Sequence, residues 1–168
     1  MTEIIIRQLS VDDVHDFKTI RLSALKNSPE MFGAIYAIEI ERPLSVFSEV
    51  ISNNIIFAAY SQKQIIGVLI FHIDDDLGAK PQAHLYGFYV ESTFRHQSVA
   101  TQLLHAAIQY GQQYVDKIVL SVIAVNAPAI QLYKKLGFQI DIDTIENNEI
   151  GMFFIYSRPH MTSDLHRN

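Results

Sequence analysis

The stretch YVESTFRHQSVATQLL, residues 89–104, decides the fold because it joins a strand end, a polar loop and the first turns of a helix. A loop that leads into a helix N-terminus presents main-chain N–H groups, and such groups bind anions such as phosphate. The loop contains no glycine, although phosphate-binding loops commonly use glycine to bring the backbone close to the ligand. The sequence therefore predicts an anion site whose donors are main-chain amides.

The remaining segments predict one mixed α/β domain. Short β-branched and apolar runs predict strands, and apolar residues at helical spacing predict helices, in the order β-α-α-β-β-β-α-β-α-β-β. Helices are expected after Ser10, over residues 44–52, and after Ser98 and Asn126. The strands are expected at 3–9, 55–60, 64–73, 83–90, 117–125, 138–145 and 149–156.

Two of the strands carry features that bear on a site. Residues 83–90 contain Gly87, and a glycine inside a strand often marks a β-bulge or a close backbone approach. Residues 117–125, KIVLSVIAV, are almost continuously apolar, as expected for a strand that is buried on both faces. Residues 31–43 are ambiguous, and we expect a loop with irregular helix there.

The composition describes an ordinary globular protein and narrows its partners. The chain has 168 residues, of which 49% are hydrophobic, and a formal net charge of −5. The net negative charge argues against nucleic acid as a partner and favours small cationic amines over polyanions as ligands. The sequence has no cysteine, which excludes disulfides and thiolate chemistry.

No targeting segment, membrane span or metal site is predicted. The chain lacks the features of a signal peptide and any run of ~20 apolar residues that would span a bilayer, so we expect a cytoplasmic location. The histidines do not show the paired spacing of metal ligands, so no metal is expected. One domain is expected over residues 1–157, followed by a loosely held tail at 158–168.

Two motifs resemble the signatures of the GCN5-related N-acetyltransferases, abbreviated GNAT. In the first, a strand with Phe88 and Val90 leads into the loop 95–100, Arg-His-Gln-Ser-Val-Ala, where the family has R/Q-x-x-G-x-G/A. In the second, an asparagine opens a helix that ends in Tyr-x-x-x-Gly-Phe, and this motif is intact in residues 126–138. The order of elements is similar to the family fold along nearly the whole chain.

The resemblance implies an acyl-CoA N-acyltransferase fold, in which helices flank a mixed and mostly antiparallel sheet. It implies an acetyl-CoA-dependent N-acetyltransferase that moves the acetyl group directly to a primary amine, with acetyl-CoA as cosubstrate. The pyrophosphate would rest on the N–H groups of residues 96–101, and the pantetheine arm would pair with the strand at residues 88–90. The residues implied in coenzyme binding are Phe88, Tyr89, Val90, Arg95, His96, Gln97, Ser98, Val99, Ala100, Thr101, Asn126, Ala129 and Tyr133.

The loop departs from the family pattern at three positions. Ser92 stands where the family usually has proline, His96 where it often has glycine, and Ser98 where it has glycine. If Ser98 requires a positive φ, the resulting strain costs on the order of 1 kcal/mol. If Ser98 has ordinary helical dihedrals, that cost vanishes.

Two catalytic roles follow from the resemblance. The N–H of Phe88 would stabilise negative charge on the thioester oxygen, if a bulge releases it from the strand ladder; alternatively, Gly87 only relieves packing under an aromatic ring. Tyr133 would protonate the leaving thiolate; alternatively, it is a core residue packed against Phe138. Asn126 caps its helix in either case and would hydrogen-bond the pantetheine amide.

The proton acceptor for the amine is left open by the sequence. His84 has a suitable ordinary pKa and, by strand alternation, shares a face with Tyr86 and Phe88. A single strand histidine is also commonly a surface or satisfied residue. Further candidates are Glu39, Glu41 and Glu149.

The acceptor is expected to contact residues 21–39, since the first two helices cover the acceptor side in the family. Phe32 and Tyr36 would enclose the guest and Glu30 or Glu39 would attract an ammonium, although the apolar residues here are equally suited to a core. Residues 120–123, Leu-Ser-Val-Ile, lack the Leu-Glu-Val-Arg common in acetyltransferases of ribosomal protein N-termini, which favours a free small amine.

Two alternatives to this function stay open. One is a non-catalytic coenzyme-binding or sensory module, and the other is a protein amine acetyltransferase that acts on lysine or an N-terminus. A homodimer through the late strands is also possible, in which Phe153, Phe154 and Tyr156 are either interface or core.

Overall fold

The computed structural model describes residues 3–28, 36–75, 81–95 and 98–157 and forms a seven-stranded sheet between two helical layers. The strands are β1 Ile4–Gln8, β2 Ile55–Ser61, β3 Gln64–Ile73, β4 Gln82–Val90, β5 Lys117–Ile123, β6 Gln139–Glu146 and β7 Glu149–Ile155. The helices are α1 Val14–Asn27, α2 Tyr36–Glu39, α3 Leu44–Asn53, α4 Val99–Gly111 and α5 Ala127–Lys135.

The strand order is β1-β2-β3-β4-β5-β7-β6, and the only parallel neighbours among the described strands are β4 and β5. The mixed, mostly antiparallel α/β class predicted from the sequence is therefore confirmed. The predicted elements are present to within a few residues, and α2 is a single turn within the segment predicted as irregular. Residues 29–35, 76–80 and 158–168 lie outside the described residues, and with them the predicted tail.

The two helical layers cover different parts of the sheet. Helices α1 and α3 bury Phe17, Ile20 and Phe47 against β2, β3 and the end of β4. Helix α4 buries Leu103 and Leu104 on the opposite face, in a core that also includes residues of β5, α5 and β7. Among the described helices, the α1–α3 layer therefore ends at β4 and does not cover β5 on that face.

This ending of the layer corrects the prediction that β5 is buried on both faces. Ile118, Leu120 and Val122 are buried against the α4 side. On the other face, Ser121 is exposed and Val119 is only partly buried. The strand has one face buried in the core and one face on the cavity wall. Its apolar sequence is the same as that expected of a strand buried on both faces, so hydrophobicity alone does not distinguish the two cases.

Strands β4 and β5 separate soon after they meet. Their register covers only Gln82–His84 with Lys117–Val119. Beyond it, residues 85–88 and 120–123 line the walls of one cavity of about 440 Å³. The parting of the two strands thus opens a cleft at the centre of the sheet.

Gly87 lies in a β-bulge, as its place inside a strand predicted. Ile70 of β3 faces Tyr86 and Val68 faces Tyr89, so two residues of β4 oppose Leu69 alone. Gly87 has a φ of +61°, and a Cβ atom there would lie 2.9 Å from Cδ1 of Ile70. Any other residue would therefore be strained by its backbone and crowded by its neighbour.

None of the helices in the described ranges has both the length and the apolar character needed to cross a bilayer. The described histidines and acidic residues likewise form no group of three or more that is placed to hold a metal ion.

Candidate active site

The central cavity collects side chains from α1, β4, β5, α5 and β7. Phe88 and Tyr133 both line it, with their ring centroids 6.3 Å apart. Phe88 is one of the two bulge residues, so its main chain is released from the regular ladder to β3. A tyrosine and an irregular backbone segment therefore border the same cavity.

Tyr133 is held by packing around its ring. It is 8% exposed, and its ring centroid lies 5.7 Å from that of Phe138. Burial raises the pKa of Tyr133, because the apolar surroundings disfavour the phenolate. The hydroxyl therefore keeps its proton at neutral and mildly alkaline pH, which is the state required of a proton donor.

The N-terminus of α5 borders the same cavity. Oδ1 of Asn126 accepts a hydrogen bond of 3.3 Å from the N–H of Ala129, so the predicted asparagine cap is present. Pro128 follows in the first turn, where its fixed φ favours helix initiation. Asn126 and Ala129 both line the cavity, next to Tyr133.

The predicted anion loop reaches α4 through a strained residue. Ser98 has φ +59° and ψ +15°, the left-handed conformation that glycine adopts without cost. The N–H of Gln102 donates to the carbonyl oxygen of Ser98 at 3.0 Å, as in the first turn of an α-helix. The N–H groups of residues 99–101 come before this hydrogen bond, so they have no acceptor within the helix. Ala100 and Thr101 are partly buried and Val99 is buried, whereas His96 and Gln97 lie outside the described residues.

Arg95 ties the start of this loop back to β4. Its Nε donates to the carbonyl oxygen of Val90 at 3.2 Å, and its guanidinium carbon lies 5.9 Å from the ring centroid of Tyr89. The side chains of Tyr89 and Val90 are buried in the cores on opposite faces of the sheet. Neither points into the cavity, so any contact that these two residues make with a coenzyme is through the main chain.

A polar cluster at the end of β4, which the sequence analysis did not predict, connects the loop to α1. Glu91 accepts hydrogen bonds from the hydroxyls of Ser23 and Tyr89, the latter at 3.1 Å. Asn27 donates to Ser23 at 3.2 Å and to Tyr89 at 3.3 Å. These residues fix the N-terminal side of the loop, and apart from Tyr89 none belongs to a motif that could have revealed them.

His84 lies on the cavity wall and is oriented by Asp74. Its Nδ1 is 2.9 Å from Oδ1 of Asp74, while Gln82 donates to Oδ2 at 2.8 Å. Burial opposes ionisation of Asp74, but the hydrogen bonds from Gln82 and His84 outweigh it and lower the pKa of Asp74. The charged carboxylate fixes the imidazole ring, and 49% of the His84 side chain stays exposed.

The other predicted bases differ in position. Glu149, at the start of β7, lines the cavity beside β5. Glu41 is exposed and is not among the described residues that line the cavity. His84 and Glu149 are thus the two candidates that the fold brings to the cleft.

The acceptor side differs from the prediction. Glu39 is 8% exposed and lies in a bidentate ion pair with Arg21, with Nε–Oε2 and Nη2–Oε1 both 3.2 Å. It therefore does not present a bare negative charge to an ammonium, and among the described residues it is Arg21 that reaches the cavity wall. Tyr36 is partly buried on α2 away from that wall, and Glu30 and Phe32 lie outside the described residues.

Comparisons with known proteins agree with this architecture. Residues 24–138 match the model of the Acetyltransferase (GNAT) family. The L-amino acid N-acetyltransferase AaaT of Escherichia coli is 35% identical over 82 residues, which are 46% of this chain and 51% of that protein. The chain therefore spans about half the length of that curated relative.

Two solved structures share the fold at low identity. The PaiA N-acetyltransferase of Thermoplasma acidophilum, in complex with coenzyme A, has a TM-score of 0.72 and 20% identity, with 92% of this chain and 99% of that chain covered. The ribosomal-protein-alanine N-acetyltransferase of Brucella melitensis has a TM-score of 0.74 and 18% identity, with 90% and 99% covered. Since the family match covers more than half of the sequence, the chain belongs to the acetyltransferase (GNAT) family.

Proposed function

We propose that the chain transfers the acetyl group of acetyl-CoA to the primary amine of a small free molecule. The observation that carries this proposal is the placement of Tyr133, buried and protonated, beside the Phe88 bulge in one cavity. Family membership supports acetyl-CoA-dependent acetyl transfer, and a solved neighbour of the same fold contains coenzyme A.

The residues present suit a coenzyme in the central cleft. Beyond the short register with β5, the main chain of β4 at residues 85–88 borders the cavity and offers peptide groups to the amides of a pantetheine arm. The first turn of α4 offers N–H groups to a pyrophosphate. Strand β4 and the start of α4 therefore offer peptide groups to the two polar parts of the ligand.

We assign one residue of the chain to each proton transfer and to the developing negative charge. Bound acetyl-CoA supplies the acetyl group as a thioester. His84, fixed by Asp74, takes the proton that an ammonium must lose before its nitrogen can bond to the carbonyl carbon. The N–H of Phe88 donates to the carbonyl oxygen as negative charge develops there. As the carbon–sulfur bond breaks, Tyr133 gives its proton to sulfur and regains one from the new amide nitrogen through solvent.

Three observations support a small acceptor. The cavity of about 440 Å³ lies in the range of small-molecule sites. Residues 120–123 lack the carboxylate and the arginine of the ribosomal subgroup. The similarity to an enzyme named for L-amino acid acetylation makes amino acids the first class to test. A protein acceptor is the rival, because protein acetyltransferases share this fold.

The experiment is a thiol-release assay with acetyl-CoA across free amino acids, simple amines, polyamines and short peptides, together with calorimetry of coenzyme binding. We expect turnover with at least one free amine and none, or much less, with the peptides. Faster acetylation of a peptide would establish the protein-acceptor rival. Coenzyme binding without turnover on any acceptor would establish the sensory alternative.

The assembly and location of the protein stay predictions. The ring centroids of Phe154 and Phe138 are 5.5 Å apart, and the Tyr156 hydroxyl donates to the carbonyl oxygen of Ile108, so both side chains pack against the core while staying partly exposed. Phe153 is likewise partly buried, so the homodimer through the late strands stays a prediction. We propose a cytoplasmic enzyme and test its assembly by light scattering.

A further inference from the structure

Arg21 is the residue of the cavity wall that the proposed chemistry does not use. It projects from α1, and 18% of its side chain is exposed. Acetyl transfer to an amine needs a proton acceptor, a proton donor and an oxyanion donor, and none of these is a guanidinium.

The position of this guanidinium is built into the fold. Glu39 holds it through two hydrogen bonds of 3.2 Å, and the Glu39 side chain is only 10% exposed. A bidentate pair fixes both the plane and the direction of the guanidinium. The cleft therefore contains an oriented arginine rather than a solvated surface charge.

The walls of the cavity carry opposite charges at different places. Arg21 lies on the α1 side with Tyr86, whereas Glu149 comes from β7 and His84 is paired with Asp74. Such a pattern suits a zwitterion, with its carboxylate at the arginine and its amine toward His84 and Glu149. A polyamine would gain nothing from the guanidinium.

A smaller recess of about 100 Å³ adjoins Arg21. It shares Arg21 and Tyr86 with the main cavity. Its other walls are partly apolar, from residues such as Phe47 and Val50, and partly charged, from Glu39 and Arg42. A side chain that leaves the carbon between the amine and the carboxylate would find room there. The recess therefore adds a third point of contact to the two charged ones.

We propose that Arg21, held by Glu39, binds the carboxylate of the acceptor, and that the acceptor is an α-amino acid. This inference rests on the proposed acetyl transfer to a small amine and assigns the residue that selects the acceptor. The carboxylate at Arg21 orients the amino acid so that its amine points to the Phe88 bulge. Simple amines enter the same cavity without this contact.

The test compares matched acceptors in the wild-type protein. L-Leucine and L-phenylalanine are compared with their carboxamides and with phenethylamine, which has no carboxylate. Charge-assisted bidentate hydrogen bonds lead us to expect kcat/KM values about 10- to 100-fold higher for the free acids.

The variants isolate the guanidinium. Arg21→Gln leaves Glu39 without its partner, so the double variant Arg21→Gln, Glu39→Gln serves as the isosteric neutral pair if the single variant does not fold. In either variant we expect kcat/KM for L-leucine to fall about 10- to 100-fold, mainly through KM, and kcat/KM for L-leucinamide to stay within about threefold. Arg7→Gln is the matched control, because Arg7 has a bidentate pair with Asp13 that lies outside the cavity.

The possible failures are distinguishable. If wild-type protein acetylates carboxamides as fast as free acids, or if the variant loses both equally while melting normally and binding coenzyme, the role of Arg21 is overturned and the small-amine function stands. If the wild-type protein binds acetyl-CoA but acetylates no free amine, the proposed function itself fails, and the assignment of Arg21 fails with it.

Discussion

The proposed coenzyme side and the proposed acceptor side of the cleft are built in different ways. On the coenzyme side, the proposed contacts come from the backbone of the Phe88 bulge and of the first turn of α4, and from the cap at Asn126. On the acceptor side, the proposed contact comes from the side chain of Arg21, held by Glu39, and these two residues come from two helices and meet only in the folded chain.

This difference explains why one side was predictable and the other was not. A backbone site needs particular residues at fixed spacings within one segment, such as a glycine at a positive φ or an asparagine at a helix start. A side-chain site needs only that two distant residues meet. Mutations that remove one kind of interaction should therefore leave the other intact.

The largest effect is expected for Tyr133→Phe. Loss of the proton donor should lower kcat about 100-fold or more, while the Kd of coenzyme A stays within about threefold because the ring and its packing are kept. Stopped-flow thiol release and calorimetry measure the two quantities. Tyr110→Phe is the control, since Tyr110 packs its ring against Phe71 outside the cavity. Equal losses of kcat and coenzyme affinity would assign Tyr133 to packing.

The raised pKa of Tyr133 also leads to a prediction about the pH dependence of kcat. Because burial raises that pKa above the ordinary value of 10, the hydroxyl stays protonated as the pH rises toward 10. We therefore expect wild-type kcat to show no decline caused by Tyr133 between pH 8 and about pH 10. A decline in that window that disappears in Tyr133→Phe would contradict the assignment.

His84→Gln should have the second-largest effect. Removal of a proton acceptor should lower kcat/KM about 10- to 100-fold near neutral pH. The comparison is Glu149→Gln, which changes the other candidate base on the cavity wall. If Glu149→Gln lowers kcat/KM and His84→Gln does not, the base is Glu149.

Gly87→Ala tests whether the bulge itself is needed. A positive φ and a contact of 2.9 Å with Ile70 should destabilise the fold by about 1–2 kcal/mol and lower kcat/KM roughly tenfold in the folded protein. Gly67→Ala on the neighbouring strand meets similar crowding, 3.1 Å from Leu103, without a positive φ. It should lose stability but keep kcat. Equal losses of kcat in both variants would mean that crowding, not the bulge, matters.

The smallest effect is expected for Ser98→Gly. Glycine relieves the left-handed strain at Ser98 but adds freedom to the unfolded chain, so stability should be unchanged or higher by up to about 1 kcal/mol. Coenzyme affinity should be unchanged or slightly better, because the donors are main-chain amides. Calorimetry checks this, and a large loss of affinity would identify the serine hydroxyl as a ligand.

Much of the fold followed from local patterns in the sequence. The strand and helix bounds, the bulge at Gly87 and the cap at Asn126 each depend on one segment, so periodicity and residue type were sufficient. The error at β5 arose because burial of a strand depends on which helix covers it. The α1–α3 layer ends at β4 because of the tertiary structure, and the apolar run 117–125 carries no information about where that layer ends.

The proposed acceptor site could be predicted only as a region. Residues 21–39 are expected from the sequence to contact the acceptor, and Arg21 lies within them, but helical periodicity treats an arginine on α1 as a solvent-facing residue. In the sequence each carboxylate stands alone as a possible ammonium site, whereas the fold pairs Glu39 with Arg21. Likewise, no local pattern reveals that Asp74 orients His84, since ten residues and a chain reversal separate them.

The three-residue register between β4 and β5 also affects the motion of the free protein. The sheet consists of two parts, β1–β4 and β5–β7, which share few main-chain hydrogen bonds and are held together mainly by the core beneath α4. A molecule bound in the cleft would contact both parts of the sheet. Its binding should therefore slow amide hydrogen exchange in the distant β6–β7 hairpin as well as at the points of contact.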